Sequence, residues 1–231
     1  MARTSPKASS QQPTDEIRWA GTAPHRSGPP SLKKAAILQT AATLFREHGY
    51  ERTRLDDIAR ALNVTKPALY YYFKNKEEIL VAIQQTGFDE IMTELKALSR
   101  GAHTGREILR RVIVSYTKWV ASELGMCVVR HFLLKLSTEN LARIREARRT
   151  TEQSIRATIA RGIEDGSLRP CDPWIVATSI CGAVNWTAFW YEPGPGRRSA
   201  TEIGEAYFNL LIDGISARGA TGRSARPSRP M

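Results

Sequence analysis

Residues 53–76 read TRLDDIARALNVTKPALYYYFKNK, and the fold is decided in this stretch. Thr53 stands where a hydroxyl can accept the amide of Asp56, whose carboxylate also suits the positive end of a helix dipole. Such a cap contributes on the order of 1 kcal/mol. The helix it opens is expected to run about nine residues and stop at Leu62. Asn63 follows, a residue that tolerates the left-handed conformation a helix stop requires. Thr65 then caps a new helix, with Pro67 in its first turn, where a missing amide hydrogen costs nothing. Asn75 caps a third helix, with Glu78 three residues on in capping-box position. Two short helices joined by a tight turn, and held by Leu55, Ile58, Leu62, Val64, Leu69 and Phe73, form a helix-turn-helix. Its second helix carries Lys66, Ala68, Tyr70, Tyr71, Tyr72 and Lys74, a set suited to the major groove.

Outward from this stretch the apolar period stays helical. Ile37, Ala41, Leu44, Phe45 and His48 share one face of an earlier helix. Leu80, Phe88, Ile91, Leu95 and Leu98 outline a long helix over 76–98. Further helices are expected near 105–122, 126–136, 138–165, 172–191 and 201–216. No alternating strand and no repeat is found, so the fold class is all-α. Residues 1–30, rich in Ser, Pro, Thr and Gln, are expected to be a disordered arm, with Ile17 to Trp19 the part that can dock. Residues 31–76 form the helix-turn-helix domain, 77–216 a second helical domain, and 217–231 a disordered basic tail.

Charge follows the same division. The chain carries a formal charge of +11 over 231 residues. Residues 33–76 hold nine cations against four acids, whereas 77–216 are balanced at seventeen of each. A basic block beside a neutral one points to one part that meets a polyanion and one that does not.

Residues 33–80 resemble the DNA-binding domain of the TetR family of bacterial regulators. The match lies in Ala42, Leu44, Phe45, Gly49, Tyr50, Thr53, Ile58 and Ala59. It continues through Val64-Thr65, Leu69-Tyr70, Phe73 and Lys76-Glu77-Glu78. Asn63 departs from the family's usual glycine. The resemblance implies phosphate contacts from Thr53, Tyr70 and Lys76, and places Thr65, Lys66, Ala68 and Tyr71 nearest the base edges. Arg54 and Lys74 add cations to this DNA-binding set. Leu69, Phe73 and Tyr72 read as core.

The neutral block suits a dimer interface and an effector pocket. The stretch 172–191, DPWIVATSICGAVNWTAFWY, is too apolar for a helix with one face in water, and too interrupted for a membrane span. With 201–216 it is expected to form a four-helix bundle with a second copy, through Trp174, Ala177, Ile180, Cys181, Val184, Tyr207, Leu210 and Leu211, with Gly182 and Ala183 allowing close approach. The alternative is a helix buried at the centre of a monomer. Candidate pocket residues are Ile91, Met92, Leu95, Tyr116, Trp119, Val120, Met126, Phe132, Trp186 and Trp190, which together suit an apolar effector. The segment from Trp174 through NWTAFWYEPGPGRRS to the last helix resembles family members that respond to acyl-CoA thioesters. That resemblance implies that Arg145, Arg148, Arg149 or Arg156 meets the CoA phosphates. The same arginines read equally well as a solvated helix face balanced by Glu146 and Glu152.

Other function classes lack their residues. His25, His48, His103 and His131 have no metal-ligand spacing with one another or with the cysteines, and no phosphate loop, dinucleotide fingerprint or nucleophile elbow is present. No cofactor and no enzymatic activity are implied. Three cysteines, an odd number, fit reduced thiols, and the first ten residues lack the apolar run of a signal peptide, so a cytoplasmic location is expected. The expectation is a dimeric regulator that binds double-stranded operator DNA and a small effector, with no membrane partner. The competing reading is an architectural DNA-binding protein of low specificity, for which the large neutral domain has no use.

Overall fold

Residues 30–130 and 136–214 are described by a computed structural model; among them every regular element is a helix. Helix α1 (Pro30–His48) ends at Gly49, whose left-handed φ of +84° turns the chain back so that its amide reaches Phe45 O at 3.0 Å. Helix α2 (Leu55–Ala61) follows, then α3 (Lys66–Tyr70). Between them Asn63 adopts φ 53°. Its amide donates to Arg60 O at 3.0 Å and that of Val64 to Ala59 O at 2.9 Å, the paired bonds of a Schellman stop. Thr65 caps α3 by accepting from Ala68 N at 3.4 Å.

Four local expectations are corrected. Thr53 is not the α2 cap: Arg54 holds that position, and the Thr53 hydroxyl donates to Gly49 O at 2.9 Å and to Leu44 O at 3.3 Å. Helix α3 is short, so Tyr72 and Lys74 lie in the turn beyond it. Asn75 does cap the next helix, accepting from Glu78 N at 2.9 Å, but Glu78 takes the amide of Lys74 at 2.8 Å instead of closing a capping box. His48, expected on the inner face of α1, is exposed at its end.

Helix α4 (Lys76–Ser99) continues from the turn into the rest of the molecule. Helix α5 (Gly105–Val120) opens with a complete capping box: Thr104 accepts from Glu107 N at 3.3 Å, and Glu107 accepts from Thr104 N at 2.8 Å. The chain then bends by 82° into α6 (Glu123–Arg130), pinned by Ser122, whose hydroxyl donates to Trp119 O at 2.6 Å and accepts from Gly125 N at 3.1 Å. Helices α7 (Thr138–Glu164), α8 (Pro173–Trp190) and α9 (Ala200–Phe208) complete the order, with a single π turn at Asn209–Asp213. The first is capped by Ser137, the second by Asp172, and the third by a Ser199–Glu202 capping box.

Helix α5 forms the centre and touches α4, α6, α7, α8 and α9. Its Ile108, Leu109, Val112, Ile113 and Val120 are all but sealed from solvent. Where α5 starts, it crosses the end of α7 so closely that a Cβ on Gly105 would stand 2.3 Å from Gly162 N; only glycine fits. No single described helix is long and apolar enough to cross a membrane.

Helices α1–α3 form a head joined to this body by polar ties as well as by α4. Lys76 Nζ, at the start of α4, donates to Tyr50 O at 2.8 Å and Glu51 O at 3.1 Å and lies 4.3 Å from the Tyr50 ring centroid. Arg46 of α1 pairs with Glu123 of α6 at 3.0 Å. Glu77 of α4 accepts from Ser137 N at 3.1 Å and Asn140 Nδ2 at 2.9 Å, next to the start of α7. These bonds hold the Glu77 carboxyl below its ordinary range, the Asn140 amide contributing most.

Candidate functional site

The head presents its polar and phenolic groups outward from a small apolar interior. Leu69 and Phe73 are buried, as the sequence implied, and Tyr72 is half-buried against them. Around that anchor Thr65, Lys66, Tyr70 and Tyr71 are exposed, Tyr71 by 83%, and Ala68 is partly so. The Tyr71 and Tyr72 rings meet edge to face at 5.1 Å, which props the Tyr71 phenol away from the core. Lys66 is ion-paired with Asp56 of α2, which holds its ammonium at the junction of the two helices. Arg54 and Lys74 are exposed.

Two proposed contacts sit differently. Thr53 is only 2% exposed and its hydroxyl is engaged with two carbonyls. Lys76 has its ammonium bonded to the α1–α2 connection and ion-paired to Glu51 at 3.5 Å. Each is a strut of the head.

Behind the head lies a cavity of about 530 Å³ between α4, α5, α7 and α8. Of the expected pocket residues, Ile91, Tyr116, Trp119 and Trp186 line it. Phe132 lies outside the described residues. Val120 is sealed in the core, while Leu95 and Met126 pack against it from positions off the cavity. Met92 faces Ser154 of α7, its sulfur 3.5 Å from the hydroxyl. Trp190 stands on the outer side of α8 with its ring edge to face on Tyr191. Sequence reasoning missed Gly87 and Phe88 on α4, Val129 on α6, and Asn185 and Phe189 on α8. Cys181 and Gly182, expected at a subunit seam, also line the cavity.

Polar groups in the wall are few and placed. The Tyr116 hydroxyl donates to Asn185 Oδ1 at 2.9 Å, and burial pushes its pKa up. Trp119 Nε1 is buried with no hydrogen-bond acceptor. Glu152 is ion-paired with Arg156 at 3.6 Å, yet its buried Oε1 accepts no hydrogen bond. Arg148 and Arg149 line the cavity; Arg145 and Arg156 do not. Burial lowers the Arg148 pKa, the neighbouring Tyr116 opposing it. Cys181 has its thiol pushed up to about 11, chiefly by burial, so it is protonated at neutral pH and no nucleophile. The wall is an apolar container with a handful of hydrogen-bonding points, which suits binding and not bond-breaking. Among the described residues no group of His, Cys, Asp or Glu has metal-binding geometry.

The outer face of α8 carries Trp174, Ile175, Trp186, Phe189 and Trp190, all substantially exposed, and Leu210 of the π turn is exposed as well. Trp186 and Phe189 stack at 5.1 Å. Three expected seam residues are corrected: Ala177, Ile180 and Val184 are fully buried within the chain's own core. Tyr207 is half-buried with its hydroxyl 3.1 Å from Thr187 Oγ1, and Leu211 packs partly on the core. The physical reason is that α8 is apolar on every side, so its pattern does not reveal which side faces inward.

Comparison with known proteins converges on one family. Residues 37–83 match the model of bacterial regulatory proteins of the tetR family, and residues 102–215 match the tetracyclin repressor-like C-terminal domain. A TetR/AcrR-family transcriptional regulator from Thermobifida fusca is 34% identical, with 80% of this chain and 99% of that chain covered and a TM-score of 0.63. The transcriptional repressor KstR2 of Mycolicibacterium smegmatis is 26% identical over 84% of this chain and 96% of its own length. AibR, solved in complex with isovaleryl coenzyme A and operator DNA, is 28% identical with a TM-score of 0.66, covering 78% of this chain and 98% of its own.

Proposed function

Since the chain belongs to the TetR family of bacterial transcriptional regulators, we propose that it is a cytoplasmic homodimeric repressor, released from a palindromic operator by an apolar effector, an acyl-CoA thioester. It is a DNA-binding regulator and not an enzyme. The observation that carries the effector reading is the 530 Å³ cavity, walled by the same helix α4 that begins at the head. A ligand filling it acts directly on the element that sets the head's position. Arg148 and Arg149 at that cavity supply cations for the phosphates of a thioester's carrier. The likeness to AibR, whose complex holds both isovaleryl coenzyme A and operator DNA, supports the same pairing of ligands here.

In this reading Thr65, Lys66, Ala68 and Tyr71 read base edges, while Tyr70, Arg54 and Lys74 hold phosphates. The exposed α8 face with Leu210 covers its counterpart in a second copy, setting two heads about one DNA turn apart. Residues 31–76 are the reading domain and 77–216 the effector domain. The effector favours a conformer whose heads are mis-spaced for DNA, a coupling of about 1–3 kcal/mol or roughly 5–150-fold in operator affinity. Linkage makes the effect reciprocal, so operator weakens effector binding by the same factor. Selection of bound sequences from random duplex DNA at physiological salt is expected to yield a palindrome, and acyl-CoA thioesters to release it. Enrichment of no sequence would overturn the specific-repressor reading, and release by none of the thioesters would overturn the effector.

A further inference from the structure

Trp119 occupies an unusual position in the cavity wall. Its ring lies directly on the α4 backbone at Gly87, where an added Cβ would stand 1.9 Å from Trp119 Cε2 and 2.4 Å from Nε1. The indole is 7% exposed, and Nε1 is buried without an acceptor. The nitrogen is sealed against the α4 backbone, so what the indole presents to the cavity is its ring. On its other side Trp119 lines a second, more polar hollow of about 380 Å³, whose wall holds Gln39 of α1 in the head, Glu90 and Glu94 of α4, Lys118 of α5 and Leu124 of α6. Ile91 and Trp119 are common to both cavities, so together they are the partition between them.

We infer that Trp119 is the specificity-determining residue of the effector site: its ring is the end wall that fixes the longest apolar chain admitted. The inference deepens the effector reading and rests on it for the ligand class. The cavity's exposed α7 lining, Arg149, marks its outer side, and buried Ile91 and Trp119 mark its floor. A chain entering from the outer side therefore ends at the indole. Without that ring, the chain runs on into the second cavity, toward α1.

The test is a length series of straight-chain acyl-CoA thioesters, run beside a matched series of 2-alkanones, which carry a carbonyl but no phosphate. Binding to the full-length protein is measured by calorimetry. Affinity for the wild type is expected to rise about fourfold per added methylene until a cut-off, and to fall beyond it. Trp119→Phe keeps an aromatic wall, so the cut-off stays close to that of the wild type. Trp119→Ala removes the wall and moves the cut-off to longer chains in both series. Should Trp119→Ala fail to fold, Ile91→Ala opens the same partition. An unchanged cut-off in the folded partition variants overturns the inference. Binding of ketones but no thioesters overturns the CoA reading and leaves the Trp119 inference to be judged on the ketone cut-off. Binding of neither series by the wild type overturns both.

Discussion

The head and the body of this molecule solve opposite problems with their apolar residues. In α1–α3 the apolar side chains are few and turned inward, and the outer surface is made of hydroxyls, phenols and cations. In the body, α8 has apolar side chains on its inner and outer faces, and the helices around it enclose empty volume. A surface that meets a polyanion needs long polar side chains on a rigid support; a surface that meets another apolar surface needs none. The lesson is that burial means different things in the two regions. A buried residue of the head maintains shape, whereas the exposed tryptophans of the body are a surface awaiting a cover.

The largest effect that sharpens this contrast is expected at Leu69, which fixes α3 from beneath. Leu69→Ala removes a fully buried side chain from a small interior and is expected to cost about 2–5 kcal/mol of stability. Chemical denaturation checks the stability, and binding to all DNA should be lost together with it. If Leu69→Ala kept full operator affinity, the head would not depend on its interior as argued.

The matching change on the body is Trp174→Glu with Trp190→Glu, both on the outer face of α8 and neither lining the cavity. Aromatic anchors at interfaces contribute roughly 2 kcal/mol or more each, so dimerisation should weaken at least about a hundredfold for the pair. Light scattering should show a monomer, with helical content by circular dichroism unchanged. A dimer that persists would mean that α8 pairs through another face.

Lys76 and Tyr71 separate support from contact within the head. Tyr71→Ala removes a side chain that holds nothing up, so stability should be unchanged while preference for the operator over random DNA falls by about 1–3 kcal/mol. Lys76→Ala removes two hydrogen bonds to backbone carbonyls and should lower stability by about 1–2 kcal/mol. Its salt dependence of DNA binding should match the wild type, because the ammonium is engaged with the protein. A salt slope shallower by about one unit would restore Lys76 to the phosphate contacts.

These two residues also show what was legible in the sequence and why. The turn at Asn63, the cap at Thr65 and the cap at Asn75 were readable because donor and acceptor lie within a few residues of each other. The bonds that tie Thr53 to Leu44 and Lys76 to Tyr50 were not readable, because they reach back nine and twenty-six residues. The cavity was legible in outline, through Tyr116 and Trp119, since aromatic residues on an inner helix face either pack or line. Gly87 and Gly182 left no such signal, because a missing side chain carries no period. For α8 the pattern failed altogether; a helix apolar on all sides has no preferred face until its neighbours are placed.

A smaller effect tests the tie between α7 and the start of α4, the helix that carries the head. Glu77 is held below its ordinary pKa by the Asn140 amide first and by Ser137 next. A carboxyl whose folded pKa is depressed contributes stability that is fully present above its unfolded value, near 4.3, and is lost as pH falls through the lower folded value. The wild type should therefore lose part of its stability below about pH 4, and Glu77→Gln should flatten that portion of the acid limb. Melting temperatures across the acid range check it. An acid limb identical in both proteins would mean that the α4–α7 tie contributes nothing through charge.

The smallest expected change is Asn63→Gly, and its sign is informative. Asn63 is the only non-glycine among the described residues with positive φ. Left-handed backbone strains any residue bearing a Cβ, Asn less than most, and glycine relieves it at the cost of a more flexible unfolded chain. In the folded state the two Schellman bonds at Asn63 and Val64 are made by backbone amides and survive the substitution. The net is a stabilisation of about 0.5 kcal/mol, read as a small rise in melting temperature. A fall would mean that the Asn63 side chain itself contributes to the stop. Because the turn sets the angle between α2 and α3, operator affinity serves as the second readout. If stability rises and affinity falls, Asn63 limits the freedom of the recognition helix, and the head trades stability for a fixed docking angle.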